Sequence, residues 1–160
     1  NLSNANLSGV DLSGRDLTGA IFHQTNLSGT DLSNTNLSWS NFSQQRNTSE
    51  TKAEFLNNNG NKILKNVILK NVDLRHANLG GQDLTDMDLS TAKLAYTDLS
   101  SSDLSNTNLS NVDLSHANLW HATLDGANLD NANLFAARTF STSFDNALLT
   151  CSGNVVCELP

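Results

Sequence analysis

Charge is scarce in this chain of 160 residues: only 16% are Asp, Glu, Lys or Arg. With 38% hydrophobic residues and one proline, that scarcity argues against a solvated acidic tail and leaves enough apolar material for one core. Long apolar runs are missing too. No stretch of 18 apolar residues and no signal-type hydrophobic segment occurs, so no helix spans a membrane within this window. The 2 cysteines form neither a CxxC pair nor a Cys/His cluster, which leaves no support for zinc. Nothing in the pattern brings His23, His76, His116 or His121 together with an acid and a nucleophile, so no catalytic residue, cofactor or metal is expected. An initiator methionine is also absent, and Asn1 already lies inside a repeat. A processed chain or an excised piece is the expectation, with any targeting or membrane segment upstream.

The chain also lacks the two usual hydrophobic periods. In DLSSSDLSNTNLSNVDLS, residues 98–115, leucines recur every fifth residue, at Leu99, Leu104, Leu109 and Leu114. That step scatters them around a helix and alternates them across a strand, so neither element buries them. One register runs in fives from Leu2 to Phe42, and a second from Leu64 to Leu149. Of 27 such centres only Thr139 is not Leu or Phe. The residue two before each centre is mostly small, as at Ala5, Val10, Val72, Ala77 and Ala127, and the residue one before is usually Asn or Asp. Self-similarity at a fixed period marks a solenoid.

A chain that turns about 90° every five residues makes each pentad one side of a square coil, with coils stacked about 4.8 Å apart. The central Leu and the small residue two before it point inward, and the other three positions face solvent. Twenty-six buried Leu or Phe side chains, at roughly 1.5 to 3 kcal/mol each, make a sufficient core. The predicted class is therefore all-β, a parallel β-helix with one interruption.

The pentads ANLDN at 127–131 and ANLSG at 5–9 resemble the A(D/N)LXX motif of the pentapeptide-repeat family. The resemblance covers about five sixths of the chain and implies a right-handed quadrilateral β-helix. It implies little about role, because fold does not fix function.

The expected organisation is a first array at 1–42, an interrupting loop or short helix at 43–61, a second array at 62–151, and a tail at 152–160. The separation of Phe42 and Leu64 is not a multiple of five, so part of the chain between them must loop out. Ala53 and Phe55 imitate one pentad, while Ser49 and Glu50 are suited to open a short helix ended by NNNG. A hinge between two towers and a loop on one tower are both compatible with this spacing. Such insertions are common contact sites and also tolerated surface features.

Four pentads to a coil make every fourth pentad a vertical neighbour. One column reads Asp73, Lys93, Asp113, Asn133, an alternating ladder needing no partner. Another reads His76, Tyr96, His116, Ala136. Its histidines lie two coils apart, about 9.6 Å, too far to share an ion with bonds near 2.1 Å, so solvent-facing stacking is expected. Trp120 and Phe140 stack at the same spacing with Phe135 nearby, forming either a partner patch or, as the favoured expectation, a packed cap where the motif decays. Lys62, Lys65, Lys70 and Arg75 form a basic girdle at the first coil of the second array. Cys151 and Cys157 are candidates for a disulfide, which would pin the tail and imply an oxidising compartment such as periplasm or thylakoid lumen; two free thiols are the alternative.

One branch of the resembled family protects or inhibits DNA gyrase by imitating DNA, and implies an acidic rod that is usually dimeric through its C-terminal end. Here the net charge is -7. A tower about 32 Å tall matches a length of duplex carrying about 19 phosphates, so the charge density is about a third of that of DNA. The motif aspartates Asp73, Asp83, Asp88, Asp98, Asp103 and Asp113 also fall on all four sides. Gyrase binding is thus the alternative, and direct nucleic-acid binding is not expected. A leucine-filled coil offers no cleft for catalysis. The favoured function is a non-enzymatic scaffold presenting polar faces to a protein or cell-envelope component. The interrupted two-array layout also resembles the C-terminal repeat domain of a cyanobacterial membrane protein that localises heterocyst glycolipids, which implies a membrane segment upstream.

Overall fold

The computed structural model describes residues 1–42, 64 and 67–150. Five N–H groups per repeat must find acceptors, and the pentad centred on Leu104 shows how the fold supplies them. Asp103 N–H donates to the Gln82 carbonyl of the preceding coil (2.9 Å), and Leu104 and Asn106 donate to the Thr123 and Asp125 carbonyls of the following one (2.7 and 2.9 Å). Ser102 N–H closes a turn onto Leu99 (3.1 Å). The remaining donor, Ser105 N–H, is taken by the Asp103 carboxylate (3.0 Å). The motif therefore wants Asn or Asp before the central Leu because that side chain accepts the one amide the ladders leave over. Asp11 with Ser13, Asn36 with Ser38, Asp98 with Ser100 and Asn133 with Phe135 repeat the arrangement.

The residue before each centre forms a single parallel bridge to its counterpart four pentads on, as in Asn6 to Asn26, Asp11 to Asp31, Asp16 to Asn36 and Ile21 to Asn41. Each successive pentad bridges to the fourth one after it, so a coil has four sides. In the second array, side one carries Asp83, Asp103, Thr123 and Ser143; side two carries Ile68, Asp88, Asn108, Asn128 and Leu148. Side three carries Asp73, Lys93, Asp113 and Asn133; side four carries Asn78, Asp98, Asn118 and Arg138.

The two arrays are bonded directly to each other. Asp31, Asn36 and Asn41 bridge to Ile68, Asp73 and Asn78, a separation of 37, after which Asp73 bridges to Lys93 at 20 again. The jump is one coil lengthened by the insertion, so the stack resumes in the same columns beyond the interruption. Of the two arrangements the spacing allows, the bridges give one tower. Residues 43–63, 65 and 66 lie outside the described residues, as does the expected loop or helix at 43–61.

Central side chains from Phe22 to Leu129 are buried, with Phe22 and Phe42 stacked at 4.5 Å inside side four. Leu2, Leu7, Leu12 and Leu17 are only partly buried, since the first coil is covered from one side. The small inward residue has a second use. Where it is Thr, its hydroxyl donates to the carbonyl of a central residue in the preceding coil, as Thr25 does to Leu2 (2.8 Å) and Thr107 to Leu84 (2.9 Å). A buried hydroxyl is thereby satisfied.

Corners place the residue two after each centre in the left-handed region, from Asn4 (φ 60) to Asn146 (φ 58). Glycine and Asn suit that conformation and β-branched residues do not. Thr91 is the β-branched residue at such a corner and, among the described residues, the exception: it is not left-handed. Around it the ladder opens. No bridge joins Ile68 to Asp88 or Lys93 to Asp113 among the described residues, and Asn71 N–H turns to the Thr91 hydroxyl (2.9 Å). Asn71, Asn111 and Asn131 occupy the same column, so Thr91→Asn completes it. The substitution is expected to raise unfolding stability by about 1 kcal/mol; an unchanged or lower urea midpoint contradicts this account of the corner.

Candidate interaction surface

The left-handed corner between sides three and four throws its side chains outward, and there the chain has placed rings. Trp39 stacks on His76 (centroids 4.1 Å, 4° between planes), His76 on Tyr96 (4.9 Å), and Tyr96 on His116 (4.6 Å), while Phe135 meets His116 edge-on at 5.8 Å. The expected column of His76, Tyr96 and His116 is present, with Phe135 in contact where Ala136 was expected. Tyr96 separates the histidines. Trp39 precedes His76 across the insertion, so a column read in uniform coil steps misses it; allowing for the residues that stand outside the repeat finds it. The parallel rings use their faces on one another and offer edges to solvent.

On the next corner, between sides four and one, Trp120 stacks on His121 (5.0 Å) and lies 6.3 Å from Phe140. Trp120, Phe135 and Phe140 remain 45%, 55% and 72% exposed. The expectation of a packed cap is therefore not met by these rings: corner positions project sideways from the coil, whereas a cap must cover its end. The structure places them along the two edges of side four, the face of Asn78, Asp98, Asn118 and Arg138.

The basic candidates do not join this surface as a group. Lys62 and Lys65 lie outside the described residues, as do Cys151 and Cys157. Arg75 is chelated by Asp73, with bonds of 2.9 Å from Nε and 2.6 Å from Nη2, and Lys93 Nζ stands 3.5 Å from the same carboxylate. The expected ladder on side three thus closes on Asp73, while Asp113 accepts from Asn133 (3.0 Å). The Arg75 hydrogen bonds hold Asp73 below the ordinary 3.8. A depressed carboxylate stabilises the fold above its unfolded value, and that stability is lost as pH falls through the lowered folded value. Arg75→Ala should weaken the acid-side loss of stability below about pH 4, measured as urea midpoint against pH; an unchanged profile counts against the ion pair's role.

Lys70 lines a groove of about 590 Å³ beside the open ladder, with Ile68, Asp83, Asp86, Met87, Asp88 and Thr91. Asp88 is pinned by the Ser90 hydroxyl and amide and held below its ordinary value, so it stays ionised at neutral pH and is no proton donor. Among the described residues, no group of three His, Cys, Asp or Glu side chains is arranged to hold a metal ion. Nor is any helix among them long and apolar enough to cross a membrane.

The pentapeptide repeats family model matches residues 5–44, 73–111 and 102–138, in 8 copies and over more than half of the chain. The chain belongs to the pentapeptide repeat family. Solved structures of similar proteins include a pentapeptide repeat protein from the Arabidopsis thaliana thylakoid lumen, at 23% identity, covering 79% of this chain and 66% of that one, TM-score 0.39. The cyanobacterial HetL of Nostoc, described as involved in heterocyst differentiation regulation, is 21% identical over 93% of this chain and 89% of its own, TM-score 0.30. QnrB1, a plasmid-mediated fluoroquinolone resistance protein, is 18% identical over 91% of this chain and 82% of its own, TM-score 0.43. No curated protein matches the sequence. The fold is the family's quadrilateral β-helix, and within this pentapeptide repeat protein the aromatic-edged side four is the most differentiated face.

Proposed function

We propose that this pentapeptide repeat protein is a non-enzymatic scaffold whose side four docks a protein or cell-envelope partner. One observation carries the reading: Trp120, Phe135 and Phe140 are exposed on a rigid tower whose core has no need of them. Exposed aromatics flanking a sparsely charged strip are the composition of contact surfaces, and rings already ordered lose little entropy on binding. In its finer form, resting on the interrupted two-array layout, the reading assigns the chain to glycolipid placement in a cyanobacterial heterocyst envelope. The test is capture of envelope components by the immobilised chain and by a Trp120→Ser, Phe140→Ser double variant. Capture that survives both substitutions rejects side four as the docking face.

A second reading, inhibition of DNA gyrase by an acidic face, has its own observation. The motif aspartates do fall on all four sides, yet sides one and two with the corner between them hold Asp11, Asp31, Asp83, Asp86, Asp88, Asp103, Asp125 and Asp145, against which Lys70 stands at the edge, in the groove with Asp83, Asp86 and Asp88. Salt-sensitive inhibition of supercoiling supports it; no inhibition at tens of micromolar rejects it.

A further inference from the structure

Side four is electrostatically self-complementary. Asp98, Asn118 and Arg138 are bridged in succession, so Asp98 and Arg138 stand one coil to either side of Asn118. Arg138 is exposed and has no ion pair among the described residues. Asp98 uses Oδ1 to accept from Ser100 N–H and Asn118 Nδ2, both at 3.0 Å, and its second oxygen stays open to an outside donor.

We propose that two copies of this chain pair antiparallel through side four, about a two-fold axis that crosses the face at Asn118. The operation sets Asp98 against Arg138 of the second copy, and Arg138 against its Asp98. It also returns each corner onto itself. Tyr96, 51% exposed, then faces Phe135 of the second copy, Trp120 faces its own counterpart, and Phe140 comes over the small Ser100 and Ser101. A parallel pairing would set Arg138 on Arg138 and Asp98 on Asp98, which like charges oppose. The other faces offer no such match: among the described residues no base stands at a bridged position of sides one and two to answer their aspartates, and on side three Lys93 is already turned to Asp73.

The overlapping strip is about 14 Å tall for three coils and at most about 17 Å wide for one five-residue side. That is a few hundred Å², well short of the roughly 800 Å² per partner of a stable complex. The dimer is therefore weak and concentration-dependent, with the ion pairs selecting its orientation. This inference rests on side four being a contact face, and adds a second copy as its occupant.

Sedimentation equilibrium of the full chain, from about 10 µM to about 1 mM, tests it. The wild type is expected to associate to a dimer across that range. Arg138→Asp and Asp98→Arg should each weaken association at least about tenfold, and the two together should recover most of the loss. Because Asp98 also accepts from Ser100, far-UV circular dichroism accompanies each variant, and Arg138→Asp alone decides the matter should Asp98→Arg unfold. A wild type that stays monomeric throughout, or single swaps that leave association unchanged, overturns the proposal. A monomer that still captures its partner through Trp120 and Phe140 overturns the dimer alone and leaves the docking reading intact.

Discussion

Leu99→Ala is expected to lower the unfolding free energy by about 2 to 5 kcal/mol, the range for truncating a fully buried leucine. Leu99 is 0% exposed and sits in the central column of side four, between the coils of Leu79 and Leu119. The pentad cannot collapse into the vacated space, because its N–H donates to the Asn118 carbonyl at 2.8 Å and the coils on either side hold its height. Leu7→Ala provides the contrast. Leu7 lies in the first coil, is only partly buried, and already has solvent on one side, so its truncation removes less contact. Urea unfolding should rank Leu99→Ala as the costlier by at least a factor of about two. Equal losses at the two positions would mean that the coil stack does not distribute burial as described.

Asn111→Pro should be nearly as damaging, about 3 kcal/mol, while Asn111→Gly should be close to neutral. Asn111 holds φ at 61°, and its N–H donates to the Asp130 carbonyl at 2.8 Å. Proline fixes φ near about −65° and removes the donor, so it breaks the corner and one rung at once. Glycine keeps both. The pair separates backbone conformation from side-chain contact: if glycine costs as much as proline, the side chain of Asn111 and not its conformation is what the corner needs.

The pattern of leucines alone is enough to specify the coil, because a five-residue period is buried by no other regular backbone. Inward and outward positions follow from it, and the aromatic column at His76, Tyr96 and His116 follows from four pentads to a coil. Trp39 escapes because its place depends on how much of the chain stands outside the repeat, and the gap from Phe42 to Leu64 fixes that only once the columns are known to resume. The open ladder at Thr91 has a signal in the sequence, a β-branched residue in a column otherwise filled by Asn, but only the left-handed corner gives that signal meaning. For Trp120 and Phe140 the decay of the motif suggests an end cap. The turn geometry instead directs corner side chains sideways, onto the edges of side four. Arg75 looks in sequence like part of a basic girdle because Asp73 has a motif role of its own; only the side-chain geometry shows that the same carboxylate is also its ion-pair partner.

Continuity of the tower is the claim on which these readings depend, and removing residues 44–60 tests it most directly. The deletion joins Phe42-Ser43 to Asn61-Lys62-Ile63-Leu64, which restores the five-residue step and brings an asparagine to the corner position. The separation of 37 between Asn36 and Asp73 becomes 20, the value elsewhere in the stack. The account predicts a folded chain that unfolds in urea in one cooperative transition, with a midpoint at or above that of the parent, since a shorter closed loop loses less entropy on folding. Loss of structure, or two separate transitions from two independent arrays, would contradict it.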